Sequence, residues 1–112
     1  MHKNEVLELS LVFALNVIGF SETLDQRKKF VISKQLLKSG TSIGASIREA
    51  QKAESRADFF HKMSIAAKEA EETEYWLILC DLANTYPKPE QLLIDIKSIQ
   101  KLLSKILSRK NQ

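Results

Sequence analysis

The sequence predicts an all-α fold: an antiparallel, up-down four-helix bundle forming one domain over residues 1–112. Apolar residues recur at three- and four-residue spacing along most of the chain, the period of one face of a helix. Only three glycines and two prolines occur in 112 residues, too little turn material for an all-β or loop-rich fold. No strand candidate, sequence repeat or low-complexity tract interrupts the pattern. A chain of this length buries roughly two-thirds of its unfolded surface, enough for a real core.

Helix one is expected from about Asn4 to Phe20. Its apolar residues include Val6, Leu7, Leu9, Leu11, Val12, Phe13, Leu15, Val17 and Ile18, and they run nearly all the way round the helix. A surface helix of a monomeric bundle keeps one polar face, so this helix calls for a second burial surface on another subunit. Ser21 to Asp25 reads as a polar connection. Helix two then runs from about Gln26 to Lys52, with a stripe of Phe30, Ser33, Leu36, Leu37, Gly40, Ile43, Gly44, Ile47 and Ala50.

Ser55 followed by Asp58 resembles a capping box and opens helix three, expected to reach about Asn84. Its main stripe is Phe59, Phe60, Met63, Ala66, Ala67, Ala70, Thr73, Leu77 and Cys80. Tyr86-Pro87-Lys88-Pro89-Glu90 breaks the pattern. Pro89 suits the first turn of helix four, and Glu90 suits the positive end of its dipole. Leu92, Leu93, Ile96, Ile99, Leu103, Ile106 and Leu107 carry that helix to a frayed end at residues 110–112.

Composition sets bounds on function. The net charge of +3 is mildly basic, with a pI near 9.0. The single cysteine, Cys80, excludes an intramolecular disulfide and a cysteine-rich zinc site. The apolar run from Leu11 to Phe20 is too short to span a bilayer and lacks the flanks of a signal peptide. A cytoplasmic protein without a membrane partner is the expectation.

Gly40 and Gly44 stand four residues apart inside helix two, on one face. Each costs about 0.5–1 kcal/mol against alanine in a helix interior, so a close helix contact is expected to repay them. The facing surface is expected to be Ala66, Ala67 and Ala70 of helix three. On the same helix Glu69 and Glu72 share a face with Trp76. Paired carboxylates of this kind serve acid–base or metal chemistry, but bundle metal sites draw on several helices and commonly on Glu-x-x-His. That pattern is absent, and Asp58 with His61 has no counterpart elsewhere. The expectation is that Glu69 and Glu72 pair with Lys38 or Arg48, with no metal, cofactor or catalytic residue. The serines near the glycines have no adjacent histidine, and no Gly-Lys-Ser/Thr phosphate loop follows them.

The charge pattern is more specific. Residues 26–48 contain Arg27, Lys28, Lys29, Lys34, Lys38 and Arg48 and no acid. Residues 96–112 contain Lys97, Lys101, Lys105, Arg109 and Lys110, again without an acid. Lys97, Lys101, Lys105 and Arg109 recur every four residues and form a basic ridge able to follow phosphates.

The run Gln35-Leu36-Leu37-Lys38-Ser39-Gly40-Thr41-Ser42-Ile43-Gly44-Ala45-Ser46-Ile47-Arg48-Glu49-Ala50, with Asp58-Phe59 and Lys68-Glu69-Ala70-Glu71-Glu72-Thr73-Glu74-Tyr75-Trp76-Leu77, resembles the four-helix-bundle family of 23S rRNA intervening-sequence proteins. The resemblance spans essentially the whole chain and is strongest over residues 35–80. Ser46 stands where family members often carry asparagine. Related proteins are accessory variability proteins of diversity-generating retroelements, basic rings that engage nucleic acid and a reverse transcriptase. The resemblance implies a homopentameric ring and brings no catalytic residues. The resulting expectation is a non-enzymatic homo-oligomer contacting RNA or DNA through Lys97, Lys101, Lys105 and Arg109, and secondarily through Arg27, Lys28 and Lys29. The alternative is a scaffold that binds a protein partner.

Overall fold

A computed structural model describes residues 4–112. Four helices follow one another: α1 (Glu5–Gln26), α2 (Phe30–Ala50), α3 (Arg56–Leu82) and α4 (Glu90–Leu107). No strand is present among the described residues. Each helix packs on its chain neighbour, and α1 also packs on α4, closing a four-cornered bundle. Its long dimension is 46 Å. Cross-helix contacts fix the antiparallel register. Val17 lies beside Gly40, Thr73 beside Ser39, and Glu74 beside Lys97.

The core follows one stripe from each helix. Phe13, Val17 and Leu24 of α1 meet Leu36, Ile43 and Ile47 of α2, Met63, Ala66, Ala70 and Leu77 of α3, and Ile96, Ile99 and Leu103 of α4. Burying these apolar surfaces is the main force holding the helices together. Phe30 and Leu37, expected in the α2 stripe, are exposed instead.

Five hydroxyl side chains are buried with this core: Ser10, Ser21, Ser33, Ser39 and Thr73. All find partners. Ser33 Oγ donates to the Ser21 carbonyl at 3.0 Å, and Ser21 Oγ returns to the Ser33 carbonyl at 3.4 Å. Thr73 Oγ1 donates to the Glu69 carbonyl and lies 2.9 Å from Ser39 Oγ. These contacts stitch α1 to α2 and α2 to α3 without leaving a buried polar atom unpaired among the described residues.

Several helix boundaries differ from expectation. α1 continues through the polar run Ser21 to Asp25, because Ser21 and Leu24 prolong its buried stripe while Glu22 and Asp25 face solvent. It stops in a Schellman turn: Lys28 N–H donates to the Asp25 carbonyl and Lys29 N–H to the Leu24 carbonyl. Lys28 takes the left-handed position at φ 61°, a place usually held by glycine, so composition gave no stop signal. Lys28→Gly is expected to raise the unfolding free energy by about 1 kcal/mol by relieving that backbone cost, read by urea denaturation. Consequently α2 starts at Phe30 rather than Gln26. α3 ends at Leu82, two residues before the expected Asn84.

The Ser55 cap holds, with Ser55 Oγ accepting from Asp58 N–H and the Asp58 carboxylate accepting from Glu54 N–H. Pro89 caps α4 from just outside its first turn rather than within it, and Glu90 is the first helical residue. At 22 residues, α1 is long and apolar enough to cross a membrane by length and composition. That corrects the shorter run read from sequence; here its buried stripe packs on α2 and α4.

Candidate functional site

The glycine motif is a packing device, but not against the helix expected. A Cβ on Gly40 would lie 2.9 Å from Val17 Cγ1, and one on Gly44 would lie 3.4 Å from the backbone oxygen of Ser10. Both glycines therefore admit α1, while Ala66 and Ala70 are buried in the core on α3 and Ala67 is half-buried. The buried side of α2 is wide enough to serve two neighbours. Its Ser39 edge meets α3, and its Gly40–Gly44 edge meets α1.

Glu69 and Glu72 do not pair with Lys38 or Arg48. Glu72 accepts the indole N–H of Trp76 at 3.1 Å. Glu69 has no ion-pair partner among the described residues; its contribution is a backbone carbonyl to Thr73. Glu69 is half-buried and Glu72 is exposed. Asp58 is spent on the α3 cap and on Lys62, and His61 is exposed. No group of three or more His, Cys, Asp or Glu side chains converges to hold a metal among the described residues. Burial pushes the Cys80 thiol up to about 11, so it stays protonated and unreactive near neutral pH.

The basic residues of the two acid-free runs are exposed, apart from the half-buried Lys29, but the fold divides them. Arg27, Lys28 and Lys29 lie at the α1–α2 turn, whereas the C-terminal half of α4 lies at the opposite end of the bundle. Lys29 is engaged: its Nζ donates to Thr85 Oγ1 and sits 5.0 Å from the centre of the Tyr86 ring. On α4, Lys97 forms an ion pair with Glu74 of α3. That contact lowers the pKa of Glu74 and raises that of Lys97, chiefly through the hydrogen bond between them. Helix three's local acidity thus neutralises one end of the ridge.

Lys101, Lys105 and Arg109 remain exposed and without ion-pair partners among the described residues. The fold adds Arg56, which sequence reading passed over because it is the first residue of α3, distant in the chain. Its guanidinium donates to the Arg109 carbonyl at 2.6 Å and lies 4.7 Å from the Phe60 ring centre. It satisfies carbonyls of the turn that follows α4, those of Arg109, Lys110 and Gln112, near the helix C-terminus where a cation is favourable. Below it, a cavity of about 500 Å³ is lined by Phe59, Phe60, Met63 and Ile106, with Arg56 and Arg109 at its margin. Glu5 lines the same α1–α4 groove as Lys105 and Arg109.

These features define a class: a helical bundle with a packed core and a basic run along and just beyond its last helix, in which, among the described residues, no buried polar side-chain atom lacks a partner and no group of metal-ligating side chains converges. Its family follows from comparison. The family model of the 23S rRNA-intervening sequence protein matches residues 2–105, and the chain belongs to that family. It is also similar to a crystal structure of a protein of unknown function from the S23 ribosomal protein family of Bacteroides thetaiotaomicron VPI-5482. The two share 48% identity, with 91% of this chain and 97% of that chain covered and a TM-score of 0.86. No curated protein matches the chain.

Proposed function

We propose that this protein is a non-enzymatic, homo-oligomeric bundle that binds RNA or DNA without sequence preference through Lys101, Lys105 and Arg109. The observation that carries the reading is the row of three exposed cations, Lys101 and Lys105 on α4 and Arg109 in the turn that follows it, with no ion-pair partners among the described residues. Such a row gains affinity by releasing counterions from phosphates and reads no bases. The net charge of +3 is in keeping with it. The exposed apolar side of α1 supports self-association, and the family resemblance suggests a pentameric ring. The buried Cys80, alone of its kind, suits a reducing, cytoplasmic setting.

Fluorescence anisotropy with short RNA and DNA duplexes and single strands, at about 50 and about 200 mM salt, tests the proposal. Replacing Lys101, Lys105 and Arg109 together by glutamine is expected to weaken binding at least about tenfold and to reduce the salt slope by about 2–3. Arg27→Gln with Lys28→Gln should have the smaller effect. No binding of the unaltered protein at the lower salt would refute the reading.

A second reading, a scaffold for a protein partner, has its own observation. Tyr75, Ile78 and Leu82 are exposed along the C-terminal half of α3, an apolar stripe the fold leaves uncovered. A pull-down repeated with nuclease separates the two readings, since only a nucleic-acid bridge is lost on digestion.

A further inference from the structure

The basic row leads into a cavity whose walls are held in place by the fold. Arg109 belongs to both: it ends the row, and it lines the cavity of about 500 Å³ beneath Arg56. The cavity shares Val6, Ile106 and Arg109 with the α1–α4 groove that contains Lys105. Asn4 Nδ2 donates to Gln51 Oε1 at 2.7 Å and closes the side between the start of α1 and the end of α2. On the other side, the Arg56 guanidinium holds the turn after α4 by its bonds to three carbonyls of that turn.

The inner surface is aromatic and cationic. Phe59 and Phe60 meet edge to face, with 5.3 Å between ring centres and 83° between planes. Phe60 is buried beneath the Arg56 guanidinium, whereas Phe59 is only half-buried. A ligand entering the cavity therefore meets the Phe59 ring, the guanidinium over Phe60, and an apolar floor of Val6, Met63 and Ile106. Two arginines and no acid line it; Glu5 lines the adjoining groove. Two guanidinium groups over an apolar floor fit a ligand with a flat, apolar body and an anionic edge, since arginine both stacks on planar groups and forks onto phosphate.

We propose that this cavity receives one unpaired base of a single strand whose phosphates follow Lys101, Lys105 and Arg109. The proposal rests on the phosphate-following row proposed above and names its substrate class. A strand lying along the row brings its next nucleotide to the cavity mouth, because Arg109 serves both. Bases in a duplex are paired and stacked inside the helix, so a duplex engages the row alone. Stacking on an aromatic ring or an arginine accepts every base, in keeping with binding that has no sequence preference.

Three probes of equal length test this by fluorescence anisotropy at low salt: a labelled single strand of mixed sequence, an abasic strand with the same phosphates, and the strand annealed to its complement. The intact strand should bind about tenfold more tightly than the abasic one, the worth of one stacked base. Arg56→Lys keeps the charge and loses the planar group. It should weaken the intact strand about fivefold to tenfold, while the abasic strand and the duplex change by less than about twofold. Ile106→Trp, which fills the cavity, should act in the same selective way, with circular dichroism checking helix content; where that variant loses helix, Arg56→Lys at an exposed position decides. Failure of all three probes to bind would overturn the row and the cavity together. Binding of the abasic strand as tightly as the intact one, or equal losses on strand and duplex in Arg56→Lys, would overturn the base site alone. Residues 1–3, which lead into Asn4 at the rim, would then be the competing occupant.

Discussion

Phe13→Ala is expected to lower the unfolding free energy by about 3–5 kcal/mol. Phe13 is 1% exposed and packs with the core stripes of the bundle. Removing its ring takes away the burial of a large apolar group and leaves a cavity that four tightly registered helices cannot close. The loss should appear in urea denaturation and as a melting temperature lower by roughly 10–20 °C. Leu15→Ala, two residues along the same helix, should change stability by no more than about 0.5 kcal/mol, measured in dilute protein where association contributes nothing. Equal losses at the two positions would mean that α1 is rotated from the orientation described.

The second large effect falls at Gly40. Gly40→Val should cost about 3 kcal/mol, at the upper end of the range for overpacking. The Cβ alone would approach Val17 Cγ1 and Cγ2 to 2.9 and 3.0 Å, and Val17 is a stiff, fully buried side chain with nowhere to swing. Gly40→Ala is the milder case, because alanine regains about 0.5–1 kcal/mol of helix propensity. Trimming the obstacle should rescue it: Gly40→Ala with Val17→Ala is expected to lose at least about 1 kcal/mol less than the sum of the single changes. Gly44→Ala meets only ordinary contact at 3.4 Å and should be neutral or slightly stabilising. Identical responses at Gly40 and Gly44 would contradict this assignment of the α1–α2 contact.

These two cases show where the sequence was legible. The α3 and α4 stripes could be read directly, since apolar and polar residues there alternate at helical spacing. The Ser55–Asp58 cap was equally readable, because its logic is local. α1 was not: with apolar residues on every side, periodicity marks no inward face. Its end was hidden as well, because the Schellman turn uses Lys28 in place of glycine. The glycine pair announced a close helix contact without naming the partner, since two neighbours share the buried side of α2.

The basic ridge was legible as spacing, and its inequality was not. Whether a lysine is available to a phosphate depends on what lies across the next helix. Glu74, 23 residues before Lys97 in the chain, removes one cation from the row. Arg56 reaches the turn just beyond α4 through a contact spanning 53 positions.

By itself, then, the sequence determined that this is a four-helix, all-α protein, because helical periodicity, caps and scarce turn residues act over a few positions at a time. It also carried the motif by which the family is recognised. Only the tertiary structure decided which face of α1 is core, which helix the glycines admit, and which cations stand unpaired. Each of those depends on distances between residues far apart in the chain, and such distances exist only once the helices have packed.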